Sequence, residues 1–306
     1  MAQQGTTGTG DTIVGFGRRA GRQRARTAPR RTGACAPAPP APLSPLTPLA
    51  PLVAALLLFG TAGCTGSAAD AAEHPGGDPV AAVRGSADAL SAAGSSRTRT
   101  AMELTTGGTR VTVRGSGGFD YAHRRGELTI VLPQAVGDPI TELHAPGTLY
   151  MKNRGGGIPS DKWLRLDTTR LRDGNLLSNG ATDPWTAAEL LRGAQRVEYL
   201  GAQELDGARV LHYRGETDLA RAAQAASPYA RGALRAAAEG FAQDTVAFDA
   251  YLDEEGRPRR VRLRFTPPPG QQGGVASTAE FFAFGRPVDV RLPGAADIYA
   301  GTVAAS

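Results

Sequence analysis

A short apolar stretch near the N-terminus separates a part of this chain that can fold from a part that cannot. Residues 52–60 are apolar or small, and three more small residues lead to Cys64. A bilayer-spanning helix needs about 20 apolar residues, so this stretch is too short to cross a membrane. It has the length of the apolar core of an export signal, about 7–15 residues, and the small residues resemble a peptidase cleavage site. The sequence therefore predicts a signal peptide over residues 1–63.

The cysteine directly after these small residues resembles the lipobox of bacterial lipoproteins, in which the thiol is acylated and becomes the new N-terminus. The usual residue three positions before that cysteine is Leu, and here it is Thr61. The alternative is a buried apolar helix with an incidental cysteine. We expect lipidation, by palmitate or a similar acyl chain, at Cys64, which would anchor the protein to the outer leaflet of the cell membrane. Residues 64–77 are small and polar, which favours a flexible tether.

The positive charge of the chain comes from the predicted leader. The chain has 34 Lys and Arg against 29 Asp and Glu, and residues 1–63 hold seven of the arginines but one acid, Asp11. From Cys64 onward 27 basic and 28 acidic residues remain. Basic residues before an apolar export segment are typical of its cytoplasmic side. The exported part therefore lacks the basic charge expected of a nucleic-acid-binding protein.

Helix signals punctuate residues 78–306, which we expect to form a single domain. Asp-Pro pairs predict helices that start at Asp78 and at Asp183, because Asp caps a helix and Pro is tolerated in its first turn. Residues 218–244 are rich in alanine and predict two helices, because Pro228 interrupts the helical pattern.

Apolar residues alternate with polar ones through most of the remaining sequence, which predicts an antiparallel meander with one apolar face. Asp206-Gly207 favours a tight hairpin turn. We expect strands near residues 102–104, 111–113, 128–132, 140–144, 148–152, 163–167, 196–204, 208–214, 245–252, 259–265, 278–284 and 288–292. A long antiparallel sheet with helices on one face is an α+β architecture. A strongly curved sheet of this kind can leave an apolar cavity under its helices.

Four segments resemble the actinobacterial LppX/LprG-type lipoproteins. They are residues 147–152 (GTLYMK), 163–167 (WLRLD), 183–215 and 248–261. The resemblance implies a half-open β-barrel similar to the LolA/LolB lipoprotein carriers, with helices on the concave face. Members of that family bind acyl lipids or glycolipids and are implicated in moving them across the cell envelope. The departures are Thr61 in the lipobox and the long leader.

Catalytic and metal-binding patterns are missing from the sequence. The histidines His74, His123, His144 and His212 are scattered and match no metal-ligand spacing, and no Gly-x-Ser-x-Gly motif occurs. The carboxylates at residues 253–255 fit a solvated turn better than a calcium loop. We therefore expect no enzyme, no cofactor and no metal.

An apolar stripe is the predicted ligand site. It consists of Met102, Leu104, Val111, Val113, Leu128, Ile130, Leu149 and Met151. These side chains would line a lipid cavity or form a closed core, and the two readings differ only in whether the helices fill the space. Arg260, Arg262 and Arg264 would form either a solvated outer face or a patch for anionic headgroups.

Two functions remain open. The first is an envelope lipoprotein that binds and transfers acyl lipids or glycolipids by burial, as a monomer held at the membrane by Cys64. The second is a structural or sensory surface lipoprotein that acts through a protein partner and holds no internal ligand. A membrane transporter is a further partner that the sequence does not identify.

Overall fold

The structure is a computed structural model that describes residues 77–133, 138–154, 157–178, 181–241, 243–266 and 273–300. The predicted signal peptide, Cys64 and nearly all of the predicted tether lie outside these residues and stay predictions. None of the helices within them is long and apolar enough to cross a membrane.

Within the described residues, eleven strands form one antiparallel sheet. Their order is β6-β5-β4-β3-β2-β1-β11-β10-β9-β8-β7, so the first strand pairs with the last and the sheet stays open between β6 and β7. The strands are β1 Ser95–Thr106, β2 Thr109–Asp120, β3 Arg125–Val131, β4 Ile140–Ala145, β5 Thr148–Lys152, β6 Leu164–Asp167, β7 Ala194–Leu205, β8 Ala208–Asp218, β9 Thr245–Leu252, β10 Pro258–Phe265 and β11 Gly274–Phe282.

Among the residues that the structure describes, four α-helices begin where the sequence signals predict. They are α1 Pro79–Ala92, α2 Pro184–Leu190, α3 Leu219–Ala225 and α4 Arg231–Gly240. Asp78 accepts a hydrogen bond from the Val80 amide, and Asp183 accepts one from the Trp185 amide, so both predicted caps are present. The alanine-rich segment forms two helices, as predicted. Residues 226–230, which include Pro228, separate them.

One face of the sheet is apolar and is covered by the helices. The register aligns Met102 with Val113 on β2 and with Ser277 on β11. Buried residues of this face and of all four helices belong to one hydrophobic cluster. We call the side of the sheet that the helices cover the inner face and the opposite side the outer face. The predicted α+β fold, a curved antiparallel sheet with helices packed on it, is confirmed.

Glycines let β2 and β3 approach closely on the inner face. A Cβ atom added at Gly117 would lie 1.8 Å from the carbonyl oxygen of Glu127. At Gly126 the added Cβ would lie 2.2 Å from the ring of Phe119, its register partner. Glycines of this kind allow a strand to bend sharply, which an open, curved sheet requires.

The strand predicted at residues 288–292 is wrong. This segment has no strand pairing and runs as irregular backbone between Pro287 and Pro293. Proline cannot donate to a strand ladder, so two prolines flanking five residues disfavour a strand there. The segment packs instead on the sheet, with Val288 against Gly118, and its continuation forms a bridge between Ile298 and Trp163 beside β6.

Candidate ligand-binding face

Six of the eight predicted cavity residues lie in the core of the inner face. Met102, Val113, Leu128, Ile130, Leu149 and Met151 are 0–7% exposed. They lie on β1, β2, β3 and β5, and cross-strand pairing brings them to one side of the sheet. In this conformation water has almost no access to them. That they line a ligand cavity stays a prediction.

The other two predicted residues lie at an open end of the same face. Leu104 and Val111 are register partners near the β1–β2 turn and are 37% and 42% exposed. The row continues across the sheet, because Leu104 is aligned with Val275 and Val275 with Phe265. The ring of Phe241, just after α4, packs 5.6 Å from that of Phe265. We call Val111, Leu104, Val275 and Phe265 the rim row.

Small residues bring the helical layer close to its neighbours. Ala222, Ala226 and Ala237 are at most 1% exposed. At Gly174 an added Cβ would lie 2.0 Å from the carbonyl oxygen of Ala233 in α4. The alanines therefore permit close contact between the helical layer and its neighbours here.

A polar cluster interrupts the apolar inner face at β4. Glu142 is aligned with Leu128 and Met151, and it is fully buried. His144 lies two residues after Glu142 on β4, so its side chain is on the same face, and it is 3% exposed. Its Nε2 lies 3.3 Å from Glu142 Oε2 and its Nδ1 lies 3.8 Å from Asp183 Oδ2.

Burial and the two carboxylates have opposite effects on the imidazole. Burial alone would lower the pKa of His144, but the hydrogen bond and charge of Glu142 and the charge of Asp183 outweigh it. The pKa of His144 is therefore raised above its usual range. The sequence places His144 in no recognisable motif, and neither acid is identified there as its neighbour. The available signal was the position of Glu142, which shares the face of Ile140 in the alternating pattern.

Aromatic side chains join this cluster to the helices. Trp185 stacks on Tyr229 at a centroid distance of 4.1 Å and meets Tyr121 edge-on at 4.9 Å. The Tyr121 hydroxyl and Ser96 Oγ are 2.6 Å apart. Burial is the main reason that the pKa values of both tyrosines are raised, and the charge of Asp183 adds to it. Both phenols therefore stay protonated.

The outer-face arginines are paired with acids. Arg260 Nη2 lies 2.6 Å from Glu280 and Arg262 Nη2 lies 3.3 Å from Glu103. Arg264 forms an ion pair with the buried carboxylate of Asp249. This pairing favours the interpretation of these arginines as part of a solvated outer face. It argues against a patch of unpaired arginines that binds anionic headgroups. In the part of the chain that the structure describes, no three His, Cys, Asp or Glu side chains are placed to hold a metal ion.

The outer face also carries a groove of about 430 Å³. It crosses β3, β2, β1 and β11 and lies on the side of the sheet opposite the helices. Its lining includes Arg99, Arg114, Thr129, Val131, Thr278 and Glu280. The mixture of charged, polar and apolar groups is that of a protein surface and not of an acyl-chain tunnel.

No family model and no curated protein matches the chain. Solved structures do match. The lipoprotein LppX of Mycobacterium tuberculosis is 11% identical with a TM-score of 0.41, over 70% of this chain and 98% of that one. LprF from Mycobacterium bovis is 14% identical with a TM-score of 0.38, over 70% and 96%.

A LolA-superfamily protein from Nitrosomonas europaea is 9% identical with a TM-score of 0.33, over 70% of this chain and 96% of that one. The resemblance predicted from the sequence and these matches name the same kinds of protein, LppX-type lipoproteins and the LolA superfamily. At TM-scores below 0.5 and identities below 25%, the likeness assigns no ligand and no activity to this chain.

Proposed function

We propose that this chain is an extracytoplasmic envelope lipoprotein that binds an acyl lipid or glycolipid between the inner face of its sheet and its helices. The main support for this proposal is that the inner face continues from the buried pair Met102–Val113 to the half-exposed pair Leu104–Val111. An apolar core that reaches solvent at one end of the sheet gives an acyl chain a place to enter. Binding would be non-catalytic, and transfer would follow where the bound lipid exchanges with a membrane.

The energy for such binding comes from burial of the acyl chain. Each CH₂ group removed from water contributes about 0.8 kcal/mol, so a long chain supplies ample affinity without a covalent step. Because the six deeper side chains are already packed, the helical layer has to move for the chain to pass the rim row. In this proposal an acyl chain attached to Cys64 holds the protein at the outer leaflet, where lipids are within reach.

The test is native and denaturing mass spectrometry of the full chain carrying Cys64→Ser, purified from its own host. The proposal expects an acyl lipid to co-purify at near one molecule per protein. It also expects the delipidated protein to bind a fluorescent fatty-acyl probe. A protein that carries no lipid and does not bind the probe would overturn the proposal.

A second candidate function rests on the outer face. The groove lined in part by Arg99, Arg114 and Val131 is large and solvent-accessible, and it would suit contact with a protein partner. Such a lipoprotein would act as a surface or sensory component with a closed core. Absence of lipid and probe binding in the same experiment would favour it.

A further inference from the structure

The middle of the outer face carries a basic excess that residues 64–306 as a whole lack. From Cys64 onward 27 basic and 28 acidic residues nearly balance. On the outer face of the four adjacent strands β10, β11, β1 and β2, the register aligns seven arginines but three acids. They are Arg97, Arg99, Arg110, Arg114, Arg260, Arg262 and Arg264, with Glu103, Asp120 and Glu280. A face with this distribution of charge attracts anionic partners.

The arginines of β10 have acid partners, but those at the outer-face groove are not neutralised. Among the described residues, Arg114 is exposed and forms no ion pair. Arg99 Nη1 lies 3.5 Å from Glu280 Oε2, at the weak end of such contacts. Glu280 Oε1 already accepts two hydrogen bonds from Arg260, at 3.0 and 2.6 Å. Arg99 and Arg114 are therefore the cations available to an added anion.

These two arginines lie on either side of a recess in the sheet surface. Both line the groove of about 430 Å³ described above, together with the small side chains of Ala101, Ser116 and Thr278. Arg99 is aligned with Ser116, so Arg114 is its diagonal neighbour on β2. Side chains in diagonal positions of an antiparallel pair are about 7–8 Å apart.

That spacing matches alternate side chains of an extended peptide. Each residue of an extended chain advances about 3.3 Å, so side chains two positions apart are about 6.6 Å apart and point the same way. Two acidic residues separated by one other residue could therefore reach both arginines in charge-assisted hydrogen bonds. A flat bilayer surface fits a recess poorly, whereas a single extended segment can enter it.

The outer face already holds one segment of irregular backbone. Val288, which lies outside any strand, packs against Gly118 on β2. Gly118 follows Ser116 among the outer-face positions of β2, since it is aligned with Arg97. A chain can therefore lie on this part of the sheet without adding to the strand ladder.

We propose that the outer-face groove binds an extended acidic segment of a protein partner, with carboxylates two positions apart at Arg99 and Arg114. This inference rests on the second candidate function, because it gives that groove its partner. It does not depend on whether the inner face binds a lipid.

The experiment measures binding of a short fluorescent peptide, in which glutamate and serine alternate, to the full chain carrying Cys64→Ser. Fluorescence anisotropy gives the affinity. We expect Arg114→Glu to weaken binding about tenfold, because the change replaces an attraction by a repulsion. The same peptide with glutamine in place of glutamate should bind neither protein.

Two further variants control for net charge and for folding. Arg165→Glu, on the outer face of β6 and away from the groove, changes the net charge equally and should keep the affinity. Arg114→Gln removes the cation without adding an acid, should weaken binding by a smaller factor, and serves as the test if Arg114→Glu does not fold. Thermal unfolding of each variant establishes that it is folded.

The outcomes separate a specific site from general attraction. Weakening by Arg114→Glu but not by Arg165→Glu supports the proposal. Equal weakening by both variants, or no binding of the acidic peptide, would overturn it. Phosphatidylglycerol vesicles that bind through Arg114 when the peptide does not bind would assign this face to a membrane and overturn it as well.

A fluorescent fatty-acyl probe, measured with the same proteins, tests the lipid-binding proposal separately. Arg114→Glu should leave the affinity for this probe unchanged, because Arg114 lies on the face opposite the helices. Failure of the unchanged chain to bind the acyl probe would overturn lipid binding and leave the peptide result standing.

Discussion

The hydroxyl of Tyr229 donates a hydrogen bond to Asp183 Oδ2 at 2.5 Å, and both side chains are buried. Asp183 caps α2, whereas Tyr229 lies between α3 and α4. The bond therefore joins the N-terminus of one helix to the connection between the next two. Any opening of the helical layer over the inner face has to break this bond or move its two ends together.

Removing that hydroxyl should destabilise the protein. In Tyr229→Phe, Asp183 keeps its amide donors but loses a buried phenol, and we expect the free energy of unfolding to fall by about 1–3 kcal/mol. Urea denaturation measures the change. Tyr150→Phe, on the outer face of β5, is the matched control and should cost less than about 0.5 kcal/mol. Equal losses in the two variants would contradict a specific role of the Tyr229–Asp183 bond.

The rim row should matter for binding more than for folding. Because Leu104 and Val111 are 37% and 42% exposed, we expect their replacement by Ser to change the free energy of unfolding by less than about 1 kcal/mol. The affinity for a fluorescent acyl probe should fall about tenfold, through lost apolar contact. Val131→Ser removes an exposed apolar side chain from the outer face and is the control. Comparable weakening by Val131→Ser would refute an entrance at the rim row.

The raised pKa of His144 gives stability a definite pH dependence. A histidine whose pKa is raised on folding stabilises the folded state fully below the unfolded pKa, about 6.5, and loses this contribution as the pH rises through the folded value. The groups facing it are Glu142 and Asp183, with Tyr229 hydrogen-bonded to the latter. We expect the unchanged chain to have a higher free energy of unfolding than His144→Asn at low pH, and this difference should become smaller above about pH 6.5. Denaturant unfolding between about pH 5.5 and 8.5 measures it.

His212 provides a comparison of opposite sign. Burial and the charges of Arg214 and Arg264 lower the pKa of His212, and a neutral ring can still donate from Nε2 to Asp249. Its contribution to stability is present above about pH 6.5 and is lost as the pH falls through the lowered folded value. The difference in the free energy of unfolding between the unchanged chain and His212→Asn should therefore become smaller below about pH 6.5. A gap for His144→Asn that follows the same direction would contradict the raised pKa.

Two glycine substitutions should have opposite effects. In Gly117→Ala the new Cβ would lie 1.8 Å from a backbone oxygen, so β2 or β3 must shift, and we expect a loss of about 1–3 kcal/mol or more. In Gly85→Ala the methyl group meets nothing within 4 Å, and an exposed helical alanine should add about 0.5–1 kcal/mol. Thermal or urea unfolding compares them. A neutral Gly117→Ala would show that the strands do not need the close approach.

Local signals in the sequence predict the elements well. The Asp78 cap, the break at Pro228 and the hairpin turn are all found, and both turn residues, Asp206 and Gly207, have positive φ angles. Each depends on hydrogen bonds or backbone torsions within a few residues, which the neighbouring residue types dictate. Residues 288–292 show the limit of this approach. Their alternation is that of a strand, but a ladder partner is decided elsewhere in the chain.

The sequence also predicts only part of the candidate site. The eight apolar residues were predicted as one stripe, because alternation places them on one face. Their separation into a buried group and an exposed pair was not predictable, since it depends on where the helices end over the sheet. The proximity of Asp183 to His144 was equally hidden, because the two residues lie on a helix cap and on a strand that are distant along the chain.

The sequence by itself determined the helices, most of the strands and the apolar face of the sheet. These depend on local periodicity and on residue type. Only the tertiary structure decided that β1 pairs with β11, that Leu104 and Val111 remain exposed, and that Glu142 and His144 are buried next to each other on the inner face. Burial and pairing are properties of the assembled sheet and helices, and no short window of sequence contains them.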